Sequence, residues 1–193
     1  MFTSASARAE GPAEAFVRPA WVGPPENELG RAVDVAKILG RSDTGLVAFA
    51  YAVAYSTGVS LSLYARANGL KASDTHRLFH EQHVALRGDD EDLPDGFLRV
   101  GIELPGGALV SNLRGHRWQQ SEPEGPLLNP SGGGGGQSSG DSVEMHPGFW
   151  LYPLVGEGTM RVSIEWPLVG IGFTTVELDA TPLREAGLRA VTL

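Results

Sequence analysis

From Leu46 to Tyr55 the sequence alternates without a break: Val47, Phe49, Tyr51, Val53 and Tyr55 are large, and Ala48, Ala50, Ala52 and Ala54 lie between them. A period of two built from β-branched and aromatic residues fits a pleated strand. Both of its faces are apolar, so the pattern predicts a central strand covered on each side, with a thin alanine face. Ser56-Thr57-Gly58 then turns the chain. Val59, Leu61 and Leu63 alternate with Ser60, Ser62 and Tyr64, which predicts a hairpin.

Other segments obey the same rule. Val33, Val35 and Lys37 fall on one face of a short strand. Leu98, Val100, Ile102 and Leu104 alternate with Arg99, Gly101 and Glu103, and Pro105-Gly106-Gly107 turns the chain back into Ala108 to Leu113. Three more strands are expected over Phe149 to Val155, Met160 to Trp166, and Phe173 to Leu178. Ser73 reads as the cap of a short helix near 74–85, and Thr181 before Pro182 as the cap of a C-terminal helix running to about Ala190. About eight strands with no helices regularly between them predict an all-β fold, a two-sheet antiparallel β-sandwich. The sandwich is expected over residues 31–193 as one domain, with irregular insertions at 68–96 and 114–148. Residues 1–30 read as a Pro-rich N-terminal tail, in which Arg18-Pro19-Ala20-Trp21-Val22-Gly23-Pro24-Pro25 favours an extended path.

Composition narrows the function classes. The net charge of −8 over 193 residues, with a pI near 5.1, disfavours nucleic acid and anionic membranes as partners, because each needs a basic face. The absence of Cys excludes disulfides, thiol catalysis and Cys-ligated metal. No segment reaches the ~20 apolar residues of a membrane span, and the first residues lack an apolar signal core, so the expected location is cytoplasmic.

The order of several segments resembles a family of uncharacterised actinobacterial proteins of similar length. The stretches that carry the resemblance are Trp21-Val22-Gly23-Pro24-Pro25-Glu26-Asn27, Tyr55-Ser56-Thr57-Gly58-Val59, Leu128-Asn129-Pro130-Ser131 with the glycine run, Phe149-Trp150-Leu151-Tyr152-Pro153-Leu154, and Glu165-Trp166-Pro167-Leu168-Val169-Gly170-Ile171. Leu113 and Glu177-Leu178-Asp179 belong to the same set. The resemblance implies one globular unit and brings no activity with it.

Candidate chemistry is sparse. His76, His80 and His83 stand at i, i+4 and i+7, where one helix face could present three imidazoles to a zinc ion. Gly136-Gln137-Ser138-Ser139-Gly140 matches a nucleophile elbow in letters, but a glycine run precedes it where the mechanism needs a strand. The run from Gly132 to Gly136 lacks the Lys of a phosphate loop and reads as a flexible linker. Asp141, Glu144 and His146 form an acid/base-capable set, and Asp89 to Asp92 read as a solvated acidic turn. No catalytic residue and no cofactor are assigned.

The aromatic residues point instead to contact surfaces, since Trp and Tyr supply large amphipathic area. Trp21, Pro24, Pro25, Trp118, Trp150 and Tyr152 are the candidate partner-binding set, the partner being another protein or a second copy of the chain. The expected function is a non-enzymatic protein-interaction or accessory module. The alternatives are a metal-assisted hydrolase and a small-ligand-binding sandwich.

Overall fold

The structure is a computed structural model that describes residues 18–85, 93–113, 122–131 and 135–193, the side chains of residues 76, 79 and 82–85 excepted. Its strands are β1 (Glu28–Leu29), β2 (Arg31–Val33), β3 (Lys37–Arg41), β4 (Gly45–Ala54), β5 (Val59–Ala67), β6 (Arg99–Glu103), β7 (Leu109–Ser111), β8 (Leu127–Pro130), β9 (Gly136–Ser139), β10 (Ser142–Met145), β11 (Gly148–Tyr152), β12 (Thr159–Trp166), β13 (Ile171–Asp179) and β14 (Val191–Thr192). Helix α1 (Ala72–Ala85) follows β5, and α2 (Thr181–Gly187) follows β13.

The β4–β5 hairpin is the centre of an eight-stranded sheet. End to end along the free edge of β4 lie β2 and β3, and along that of β5 lie β11 and β10, flanked in turn by β8 and β9. The second sheet is β13-β12-β6-β7, and β1 with β14 makes a small ribbon. Every pairing between described strands is antiparallel. The expected all-β sandwich is the fold.

One core joins the two large sheets. Val47, Phe49, Leu61, Leu63, Phe149 and Leu151 come from the larger sheet, and Val100, Ile102, Met160, Val162, Ile164 and Trp166 from the smaller. Removing each such side chain from water contributes roughly 1.5–3 kcal/mol. Gly40 marks where β3 crosses the second sheet, since a Cβ there would meet Ile164 at 2.9 Å and Ile171 at 3.0 Å. Lys37 Nζ donates to the Glu177 carbonyl, and Thr174 Oγ1 to that of Leu39, so side chains tie β3 to β13.

Several local expectations are corrected. The large residues of β4 do not share one face, because the register with β5 shifts between Phe49 and Tyr51. A bulge of this kind inverts the alternation. Val47 and Phe49 are therefore buried, but beyond the shift it is Ala52 and Ala54 that face the core, with Tyr51 exposed. The strand expected through Val33, Val35 and Lys37 is two strands. Asp34 Oδ1 accepts the Ala36 N–H and turns the chain between them. The α2 cap is not Thr181 itself: Asp179 Oδ1 accepts the Thr181 N–H, while Thr181 Oγ1 accepts from Gly158. The insertion at 114–148 is not wholly irregular either, since it holds β8, β9 and β10. These short segments are fixed by pairing, β8 with β11, β10 with β5 and β9 with β10, rather than by their own alternation. The Asp89–Asp92 run lies outside the described residues.

Candidate functional site

The solvent side of the four-stranded sheet repeats one pattern in each strand. Outward positions read Arg99, Gly101, Glu103 on β6; Arg161, Ser163, Glu165 on β12; Phe173, Thr175, Glu177 on β13; and Leu109, Ser111 on β7. Each strand carries a small residue beside long ones. The register aligns the small residues, so that Thr175, Ser163, Gly101 and Ser111 form one row across all four strands. Glu177, Arg161, Glu103 and Leu109 form the next row on one side, and Glu165 and Arg99, paired to each other, lie on the other. Phe173 stands at the end of that side on β13.

Small side chains between two ridges of long ones make a trough that crosses the strands. It has a volume of about 750 Å³. With neighbouring strands ~4.8 Å apart, four of them give it a length of about 14 Å. Gly101 opens the floor: the nearest heavy atom to a Cβ built there is the Val110 carbonyl oxygen, 3.8 Å away. Glycine in a strand interior weakens the strand and often marks close approach by another molecule.

The charges of the trough are matched to one another. Arg161 reaches Glu177 through Nε at 3.1 Å and both carboxylate oxygens of Glu103 through Nη1 at 3.3 Å. Those bonds, Glu177's first, hold its guanidinium above its ordinary value. Arg99 pairs with Glu165 at 2.5 Å and also donates to the Leu93 carbonyl. Ser163 and Thr175 share a hydrogen bond of 2.8 Å between their hydroxyls. Apolar surface stands at two ends, with Phe173 73% and Leu109 78% exposed. The edge strand is held by Asn112, which accepts the Val100 N–H and donates to the Leu98 carbonyl. Such a surface has hydroxyls, paired ions and apolar contact, and among the described residues no base stands beside a nucleophile.

The sequence-predicted residues lie elsewhere. Trp150, expected in the partner-binding set, is 0% exposed. Its indole lies under the N-terminal segment and donates to the Ala20 carbonyl at 2.9 Å, while Asn129 donates to that of Trp21. The same segment leaves Trp21, Pro24 and Pro25 half-buried. Trp118 falls outside the described residues. Tyr152 donates to Glu122 at 3.0 Å and lines a second groove of about 410 Å³ with Pro105, Pro126 and Pro153. Burial first, and then Glu122, raises its hydroxyl above the ordinary value.

His76, His80 and His83 do lie on a helix, α1. The imidazole of His80 is exposed, and those of His76 and His83 are outside the described side chains. Among the described residues no three His, Cys, Asp or Glu side chains come together as a metal site. Ser138 sits in the β9–β10 hairpin, paired with Val143, not at a strand-to-helix turn. Glu144 and His146 do meet, at 3.2 Å, and Tyr64 donates to Glu144 at 3.0 Å. The Tyr64 bond, followed by His146, holds the Glu144 carboxyl below the ordinary carboxylate range. Asp141 is in the hairpin turn, where its carbonyl accepts from Leu70.

No sequence expectation pointed to the trough. Its signal was a spacing, Arg-x-Gly-x-Glu, Arg-x-Ser-x-Glu and Phe-x-Thr-x-Glu, whose meaning depends on register. No helix among the described residues is long and apolar enough to cross a membrane. The chain matches no protein-family model, and no curated protein matches it.

Proposed function

We propose that the protein is a non-enzymatic binding or accessory module that takes an extended segment of its partner into the trough on the four-stranded sheet. What supports it is the alignment of Thr175, Ser163, Gly101 and Ser111 between two ridges of longer side chains. The contact residues on this reading are Phe173, Leu109, Ser163 and Arg161, rather than Trp150. A cytoplasmic location goes with the proposal, as does the kinship with the actinobacterial family.

The test is a thermal-shift assay with fractionated extract of the host cell, run on the wild type and on Gly101→Leu. A ligand that binds only the folded state raises the melting temperature by mass action. A fraction is expected to raise it for the wild type and not for the variant. An equal rise in both would put the binding site somewhere else.

A further inference from the structure

We infer that the ligand of the trough is a linear, uncharged saccharide. The inference rests on the binding role proposed above and names its ligand class. Three features select that chemistry. First, the floor offers hydroxyls from Ser111, Ser163 and Thr175, groups that both donate and accept. A polyol presents the same two-way capacity along its length.

Second, the ionic groups are paired with one another. Arg161 is shared between Glu103 and Glu177, and Arg99 is engaged by Glu165. Two guanidinium groups stand among three carboxylates, so an anionic ligand meets a net negative surface, and a cationic one has to compete with the guanidinium groups for those carboxylates. A neutral hydroxylated ligand can hydrogen-bond to the paired groups as they stand.

Third, the apolar contact is narrow. Phe173 presents one largely exposed ring at the border of a polar floor, which suits the C–H face of a sugar stacked on it. A trough about 14 Å long accommodates a short run of sugar rings rather than one. Gly101 lies in the middle of the row, where a side chain would fill the space that a ring occupies.

The experiment is calorimetric titration of the full chain with maltohexaose, cellohexaose, laminarihexaose and chitohexaose, with glucose as the monomer control. At least one hexaose is expected to bind, with glucose roughly tenfold weaker or worse, a difference of about 1.4 kcal/mol. Raising the salt should leave the affinity unchanged, because no net charge is neutralised. Phe173→Ala, at an exposed position, and Gly101→Leu should each weaken binding about tenfold or more. If no hexaose binds, or if both variants bind as the wild type does, the saccharide inference is overturned. Failure of every hexaose beside a host fraction that still stabilises the wild type and not Gly101→Leu would remove the saccharide and keep the trough, pointing to a protein segment. Wild-type behaviour of Gly101→Leu in both assays removes both.

Discussion

The two large sheets each carry an aromatic residue outside their shared core, and the chain treats the two differently. On the larger sheet Trp150 lies between Ser60 of β5 and Asn129 of β8, and Tyr55 meets its ring edge-on at 5.9 Å. Gly58 permits the close packing, since a Cβ there would meet the Trp150 ring at 2.6 Å. The N-terminal segment then covers the indole and accepts its N–H. On the smaller sheet Phe173 lines the trough with Ser163 and Thr175, and at 73% exposed it is covered by none of the chain's described segments. An aromatic side chain that is roofed by backbone works for stability. On the binding proposal above, one left beside an open floor serves contact with another molecule.

The largest expected effect follows directly. Trp150→Ala should destabilise the fold by roughly 3–5 kcal/mol, the range for emptying a fully buried aromatic site. Phe173→Ala should change stability by no more than about 0.5 kcal/mol, as for other exposed positions. Denaturant unfolding of the two variants checks the contrast. Similar losses in both would erase the distinction between the faces.

A smaller effect probes the roof itself. Deleting residues 1–26 removes the Ala20 and Trp21 carbonyls that accept from Trp150 and Asn129. The loss should be about 1–3 kcal/mol, and the Trp150 indole N–H should become open to solvent exchange. Hydrogen exchange at that N–H, followed by NMR, reads it out. Unchanged protection would mean that the segment does not cover the ring.

How far the sequence revealed this arrangement depends on range. Strand periodicity is local, and β5, β6, β11, β12 and β13 were legible from alternation alone. The bulge near Ala50 was not, because one inserted residue leaves the letters alternating while the faces exchange. The covering of Trp150 joins residues 130 apart in the chain, and no local pattern encodes such a contact. The trough had a visible ingredient, the small residue between two long ones. Only the register brings Gly101 opposite Ser163 and Ser111. β9 was hidden because glycine and serine carry little strand signal, and β10 because it is only four residues long; β10 gains its place from β5, and β9 from β10.

The smallest effect distinguishes a polar cluster from a binding surface. A folded-state value held below the ordinary one means that the Tyr64–Glu144 contact contributes at pH above the unfolded value of about 4.3 and is lost as the pH falls through the folded value. An NMR titration of the Glu144 carboxyl should therefore show a midpoint below that of a free glutamate. Tyr64→Phe should move it upward, with the carboxyl ionised in both proteins at neutral pH. A midpoint indifferent to Tyr64 would contradict the assignment of the cause.

The most direct measurement is the melting of Gly101→Val, with and without the ligand that stabilises the wild type. Valine suits a strand better than glycine, and a Cβ at this position meets nothing closer than 3.8 Å. The variant should match the wild type or gain about 0.5–1 kcal/mol in stability while losing the ligand-induced rise. A variant that melts lower would show that the fold itself requires the glycine. A variant that keeps the ligand response would contradict the trough as the binding site.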